Sequence, residues 1–251
     1  MKMIGFYDYT VILTYLSLMS GTIGIMLCLN GMGHPYLGMF FLLFSGLCDT
    51  FDGKVARTKK DRTPQMKKFG IQIDSLSDLI AFGILPACIG IAMLRYIMYI
   101  PDLSGFTKYI LTHYNLQAQI VLTAIAVLYV LAAMIRLAYF NVMEAKRQSE
   151  TSENRKYYQG LPITSMAVIM PFLFVASMFF PGFRYFVGLL HTAMLIVGFL
   201  FIFNFRFRKP TNKELVVLVS VVAVAVFFIL FYKEAWWARH GVVTKLKGVA
   251  P

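Results

Sequence analysis

The chain has 251 residues, of which 59% are hydrophobic and only 14% charged, and it carries a formal net charge of +12. So apolar a composition excludes an ordinary soluble domain and leaves a membrane protein as the class. The positive balance does not point to nucleic acid, because the lysines and arginines sit in short loops between apolar runs and not along one amphipathic surface.

Residues Met1 to Gly5 offer no basic segment leading into a small-residue cleavage site, so the first apolar run is read as a retained span. Runs long enough to cross a hydrocarbon core of about 30 Å occur at 10–30, 34–57, 71–98, 116–142, 163–180, 183–206 and 213–235. Pro35 falls in the first turn of the second run, where its missing N–H costs nothing, and Pro181-Gly182 makes a tight hairpin between the fifth and sixth. These unbroken apolar stretches predict an all-α polytopic membrane protein, because a barrel would need alternating strands. Cys28, Cys48 and Cys88 lie inside the runs without CxxC spacing and read as small packing residues. The chain is expected to form one membrane domain over 1–251. Within it, residues 34–98 form a catalytic helix pair with its loop, and 207–251 an additional C-terminal helix and tail.

Basic residues set the orientation. Lys54, Arg57, Lys59, Lys60, Arg62, Lys67 and Lys68 crowd the end of the second run and the loop after it. Lys146, Arg147, Arg155 and Lys156 follow the fourth, and Arg206, Arg208, Lys209 and Lys213 the sixth. If the spans alternate, these loops share one side, expected to be the cytoplasm of the cell membrane, while the opposite loops hold only Lys108 and Arg184. Arg239, Lys245 and Lys247 in the tail depart from this pattern if the seventh run crosses fully.

Of twelve acidic residues in the chain, four, Asp49, Asp52, Asp74 and Asp78, fall at the ends of two adjacent apolar helices. An ionised carboxylate near hydrocarbon costs several kcal/mol unless paired, hydrated or bound to metal, so such residues mark function by default. Asp49 and Asp52 are spaced i,i+3 and Asp74 and Asp78 i,i+4, so each pair shares a helix face. Four carboxylates with no His or Cys nearby suit hard cations such as Mg²⁺, Mn²⁺ or Ca²⁺ over zinc, and a two-metal site doing phosphoryl chemistry is the natural reading. Gly53 and Ala56 leave room for a ligand against the helix, or else for close helix packing, and Arg57 offers a fork for phosphate.

Taken together, Asp49-x-x-Asp52-Gly53-x-x-Ala56-Arg57 and Gly70-x-x-x-Asp74-x-x-x-Asp78 resemble the eight-residue signature of the CDP-alcohol phosphotransferase family. The resemblance implies a six-helix core with at least one extra C-terminal helix, divalent metal (Mg²⁺ or Mn²⁺, two ions), and a homodimer. It implies that Asp49, Asp52 and Asp74 chiefly bind metal, that Asp78 is general base and also approaches a metal, and that Asp52, Gly53, Ala56, Arg57 and Gly70 contact the CDP-lipid. The twelve residues between Arg57 and Gly70 are a departure, being a longer and more basic loop than is usual for the family; Gly70 then has the alternative role of permitting a turn into the third span.

The run from Asp74 to Gly83 followed by Pro86-Ala87, together with Arg136-Leu137-Ala138-Tyr139-Phe140-Asn141 and Gly160-Leu161-Pro162, is similar to the phosphatidylserine synthase branch of that family. The implied reaction transfers the phosphatidyl group of CDP-diacylglycerol to L-serine, giving phosphatidylserine and CMP among membrane lipids. Arg136 and Asn141 are candidate acceptor-binding residues, against interfacial snorkelling for the first and helix-end capping for the second. Gly83 and Pro86 are candidate kink sites, and His191 is read as an interior residue without a role. The rivals are the same chemistry with glycerol 3-phosphate or inositol, an intramembrane prenyltransferase, and a cation transporter. The prenyltransferase lacks a second aspartate-rich loop here, and the transporter leaves Gly53, Ala56 and Arg57 unexplained.

Overall fold

The computed structural model describes residues 4–30, 34–98, 115–150, 157–179 and 186–208, together with positions 214, 217, 220, 221 and 224. A 3₁₀ turn at Tyr9–Val11 leads into α1 (Ile12–Leu29), which is followed by α2 (Pro35–Thr58). Next, α3 (Pro64–Asp78) passes without a break through a π-helical turn, Leu79–Ile84, into α4 (Leu85–Met98). Then come α5 (Asn115–Glu150), α6 (Met166–Phe179) after a 3₁₀ turn at Ile163–Ser165, and α7 (Phe186–Ile202). The expected hairpin at Pro181-Gly182 lies outside the described residues. So does most of the seventh run, of which 214, 217, 220, 221 and 224 are helical.

The fold is an all-α polytopic membrane protein. Tyr9–Leu29, Pro64–Arg95 and Leu116–Arg147 are long and apolar enough to cross a membrane, and Ile163–Ala176 and Phe186–Ile202 are shorter apolar helices. Met19 and Met26 on α1, Ile120 and Val127 on α5, and Ile196 and Phe199 on α7 point outward with half or more of their surface uncovered. In water such a surface would drive association; in a bilayer it meets acyl chains.

Two boundaries differ from expectation. The third helix begins at Pro64, not 71, because Thr63 caps it, accepting from the Met66 amide at 3.2 Å, and Pro64 occupies its first turn. The connection between α2 and α3 is therefore only Lys59 to Thr63, and Gly70 stands inside a helix instead of at a turn. Likewise α5 runs to Glu150, well beyond 142, so Asn141 is a mid-helix residue and does not cap an end.

Inside, small residues let backbones approach where lipid supplies no hydrophobic drive between helices. The buried face of α1 is Thr14, Ser17, Ser20, Gly21, Gly24 and Cys28. A Cβ on Gly21 would stand 3.0 Å from the Ala81 Cα, and one on Gly38 of α2 would stand 2.5 Å from Cys28 Sγ. Ser17 and Ser45 exchange hydroxyl-to-carbonyl bonds across α1 and α2 at 3.4 and 3.1 Å, and Ser20 Oγ donates to the Phe41 carbonyl at 2.7 Å. Larger side chains, among them Met39, Leu42, Phe82, Ile89, Tyr129 and Phe174, fill the centre of the bundle. His191 is buried with them, its Nδ1 2.8 Å from the Val187 carbonyl and its Nε2 without a partner among the described residues.

One feature outside the helices was not foreseen. Tyr157–Gln159 (β1) pairs antiparallel with Arg206–Arg208 (β2), Tyr158 opposite Phe207. Gly160, directly after β1, has φ +71°, and a Cβ there would meet the Phe201 carbonyl at 3.1 Å, so only glycine fits without strain. Its N–H bonds the Phe205 carbonyl at 2.7 Å, and that of Leu161 bonds Leu200 at 3.2 Å, which satisfies carbonyls at the end of α7.

Candidate active site

Asp49 and Asp52 stand in the last three turns of α2, and Asp74 and Asp78 in the last two of α3. Asp49, Asp74 and Asp78 each turn one carboxylate oxygen to within 4.8 Å of the others. Asp49 lies within hydrogen-bonding reach of Asp78, and Asp52 of Asp74, so all four groups face one another across the two helices. Asp78 is 9% exposed and sits deepest, while Asp52 is only partly covered.

Little among the described residues neutralises this concentration of charge. Asp52 accepts from Thr14 Oγ1 of α1 at 3.3 Å and from the Gly53 amide, and it feels the field of Arg57. Among the described residues no lysine or arginine forms an ion pair with any of the four. Oxygen donors gathered this closely, without cationic partners, are the donor set of a hard divalent cation, and they fit a metal better than any arrangement of hydrogen bonds available there.

The α3 helix changes register immediately after Asp78. In the π turn the Leu85 amide reaches back five residues to Ile80, a pattern common at functional sites. Pro86, just beyond this turn, has no N–H to donate, and the buried Tyr129 hydroxyl of α5 donates to the Phe82 carbonyl at 2.6 Å. Gly83 lies within this π turn and Pro86 just beyond it.

The small residues lie beside the acids. A Cβ on Gly53 would touch only the end of Arg57, at 3.5 Å from Nη1, so the guanidinium rests over an otherwise open face. Gly70 is covered by another arginine: a Cβ there would come within 2.6 Å of Arg62 Nη2. Arg62 Nη1 donates to the Ala56 carbonyl at 3.4 Å and Nη2 to Met66 at 3.3 Å.

The two acceptor candidates on α5 have different surroundings. Asn141 Nδ2 donates to Ser75 Oγ, at 2.8 Å, and Ser75 immediately follows Asp74. Arg136 is 6% exposed, so it does not snorkel; its Nε donates to the Leu161 carbonyl at 3.1 Å and its guanidinium lies over Phe140. The Arg136–Asn141 and Gly160–Pro162 segments, separate in sequence, therefore meet through this bond.

Sequence reasoning missed Thr14, Ser75, Ser77 and Tyr129. Ser77 Oγ donates to the Thr14 carbonyl at 3.1 Å, so α1 is tied to α3 beside the acids as well as to Asp52. The signal for Thr14 was present in the spacing of Thr10, Thr14, Ser17, Gly21, Gly24 and Cys28, a polar and small stripe along an apolar helix. Tyr129 gave no such signal, since one tyrosine in an apolar run resembles any other packing residue.

Fold and site define a helical membrane protein with an acidic, cation-accepting centre between two helix ends. The chain belongs to the CDP-alcohol phosphatidyltransferase family, whose model matches residues 10–203. It is 32% identical over 177 residues to CDP-diacylglycerol--serine O-phosphatidyltransferase of Saccharomyces cerevisiae, a match covering 68% of this chain and 54% of that protein. It is 26% identical over 223 residues to the protein of the same name from Methanocaldococcus jannaschii, covering 88% of this chain and 82% of that one. Archaetidylserine synthase of Methanothermobacter thermautotrophicus is 29% identical over 182 residues, or 72% of this chain and 62% of that protein. The chain thus spans about half the length of the yeast relative and most of the Methanocaldococcus one. No solved structure matches it.

Proposed function

We propose that the protein transfers the phosphatidyl group of CDP-diacylglycerol to the hydroxyl of L-serine, releasing CMP. What supports the reading above all is the gathering of Asp49, Asp74 and Asp78 within 4.8 Å at the joint of two apolar helices, where unpaired carboxylates have no structural use. The names of the relatives support serine as the acceptor.

Asp49, Asp52, Asp74 and Asp78 would hold two divalent ions, Mg²⁺ or Mn²⁺, which when bound neutralise the diphosphate and the charge on the departing phosphate. The Asp78 carboxylate takes the proton of the serine hydroxyl as that oxygen attacks the lipid-side phosphorus; the bond from phosphorus to the bridging oxygen breaks, and CMP leaves. Arg57 holds a phosphate oxygen through its fork, and Gly53, Ala56 and Gly70 let the nucleotide lie against the helices. Arg136 meets the serine carboxylate and Asn141 supplies neutral hydrogen bonds. Serine enters from the basic, cytoplasmic side while the acyl chains stay in the bilayer, and the enzyme works as a homodimer, which cross-linking in native membranes would test.

The deciding experiment supplies the purified protein with CDP-diacylglycerol and a mixture of serine, glycerol 3-phosphate and inositol at varied Mg²⁺ and Mn²⁺, then identifies the lipid product. Phosphatidylserine with stoichiometric CMP is the expected result. A different lipid would transfer the reading to another acceptor, and no metal-dependent CMP release would end it. Asp78→Asn is expected to fold normally and release no CMP.

A further inference from the structure

Arg62 is not part of the signature, and it occupies an unusual position. It lies in the short connection between α2 and α3, where the segment from Arg57 to Gly70 is longer than the family resemblance leads one to expect. Its guanidinium folds back over the Ala56–Gly70 side of the helix pair, filling the space that the absent Gly70 side chain leaves. Yet it is poorly satisfied there. The two bonds it makes, to Ala56 and Met66, are long at 3.4 and 3.3 Å, and its Nε is buried with no acceptor among the described residues. A buried donor without an acceptor costs free energy, and a guanidinium with long bonds has little to lose by changing partners. Arg57 lies over Gly53 one turn before Ala56, so each of the two signature glycines is covered by one guanidinium.

We infer that Arg62 is a second nucleotide-binding arginine, which rests against Gly70 and exchanges the Ala56 and Met66 carbonyls for oxygens of the CDP group. This rests on the reading of the protein as a CDP-lipid transferase. The ligand must present two acceptors side by side, as two oxygens of a phosphate or the carbonyl oxygen and ring nitrogen of a cytosine do, because a guanidinium offers its N–H groups as a fork. Gly70 then has a physical purpose: any side chain there would push the guanidinium off its seat.

The test uses the full chain in lipid nanodiscs, with CMP binding followed calorimetrically and turnover of CDP-diacylglycerol followed by CMP release. Arg62→Ala is expected to weaken CMP at least tenfold and raise KM for CDP-diacylglycerol by a similar factor, with a smaller fall in kcat. Arg62→Lys should recover only part of this, since an ammonium cannot span two oxygens. Gly70→Ala should weaken CMP in the wild-type background and weaken it by a smaller factor when combined with Arg62→Ala. If Arg62→Ala binds CMP as wild type does, or if it lowers kcat and the ligand-free melting temperature with CMP affinity intact, Arg62 is a structural clasp and the inference is overturned. If Gly70→Ala is equally damaging in both backgrounds, the coupling through Arg62 is overturned. A wild-type protein that neither binds CMP nor consumes CDP-diacylglycerol would overturn the underlying reading, a result distinct from the others.

Discussion

The hydroxyl of Tyr129 is 2.6 Å from the carbonyl of Phe82, which lies in the π turn four residues before Pro86. This bond joins α5 to the one turn of the α3–α4 helix that departs from α geometry, directly beyond Asp78. The turn that follows the deepest carboxylate is thus tied, through Phe82, to a residue 47 positions further along the chain. Because the carbonyl is buried, removing the hydroxyl takes away a hydrogen bond that no water can replace.

Tyr129→Phe is accordingly expected to destabilise the protein by about 1–2 kcal/mol. Pro86→Ala returns an N–H four residues after Phe82, so the double variant Tyr129→Phe/Pro86→Ala should lose less than Tyr129→Phe alone. Denaturant unfolding of all three in mixed micelles measures this cycle. An additive result would mean that the two residues do not share the Phe82 carbonyl.

Thr14 offers a test of positioning without charge. Its hydroxyl reaches Asp52 at 3.3 Å from the first helix, and its carbonyl receives Ser77. Thr14→Val keeps the shape and the backbone bond but removes the donor, so kcat should fall about tenfold, the effect of roughly 1.4 kcal/mol, with the melting temperature little changed. Thr14→Ser should restore most of the rate. Equal rates for Thr14→Val and wild type would detach α1 from the chemistry.

The helices and the acidic pairs were legible in the sequence because each depends on short-range pattern: apolar run length, i,i+3 and i,i+4 spacing, and the shared faces that follow. Where reading failed, the controlling interaction was either local chemistry overlooked or contact remote in sequence. Thr63-Pro64 is a helix start written plainly in the chain, but it lies among polar residues, and hydrophobicity alone placed the beginning seven residues later. The Tyr129–Phe82 bond and the seating of Arg62 over Gly70 are tertiary contacts, which no spacing encodes. Arg136 is intermediate: its place near the end of the fourth apolar run was visible, but burial beneath the Leu161 carbonyl requires the Gly160 turn, whose positive φ a lone glycine does not announce.

Asp8 gives a pH prediction outside the membrane-spanning helices. Its carboxyl is lowered from 3.8 to about 2, first by the hydrogen bond from Thr10 Oγ1 and further by the Thr10 amide and Lys59, whose Nζ lies 3.1 Å away. A folded-state value below the unfolded one means that the stabilisation is fully present above 3.8 and is lost as pH falls through about 2. The melting temperature of Asp8→Asn should therefore lie below that of wild type at neutral pH, and the gap should close on acidification below 3.8. A gap that stays constant through this range would show that the residue acts by shape and not by charge.

Chelation tests the acidic centre through stability instead of turnover. A cation that binds the folded chain alone stabilises it by about 2.7 kcal/mol at a hundredfold excess over its Kd, so EDTA should lower the wild-type melting temperature by several degrees and Mn²⁺ or Mg²⁺ should restore it. Asp49→Asn/Asp74→Asn removes two of the three oxygens gathered within 4.8 Å. That variant should melt at the same temperature with and without metal, and without metal it should melt no lower than wild type, because two mutually repelling carboxylates have been neutralised. A wild-type protein indifferent to EDTA in this assay, but with active turnover, would place the ions in the substrate complex alone. A variant that still responds to Mn²⁺ as wild type does would move the binding site away from the ends of α2 and α3.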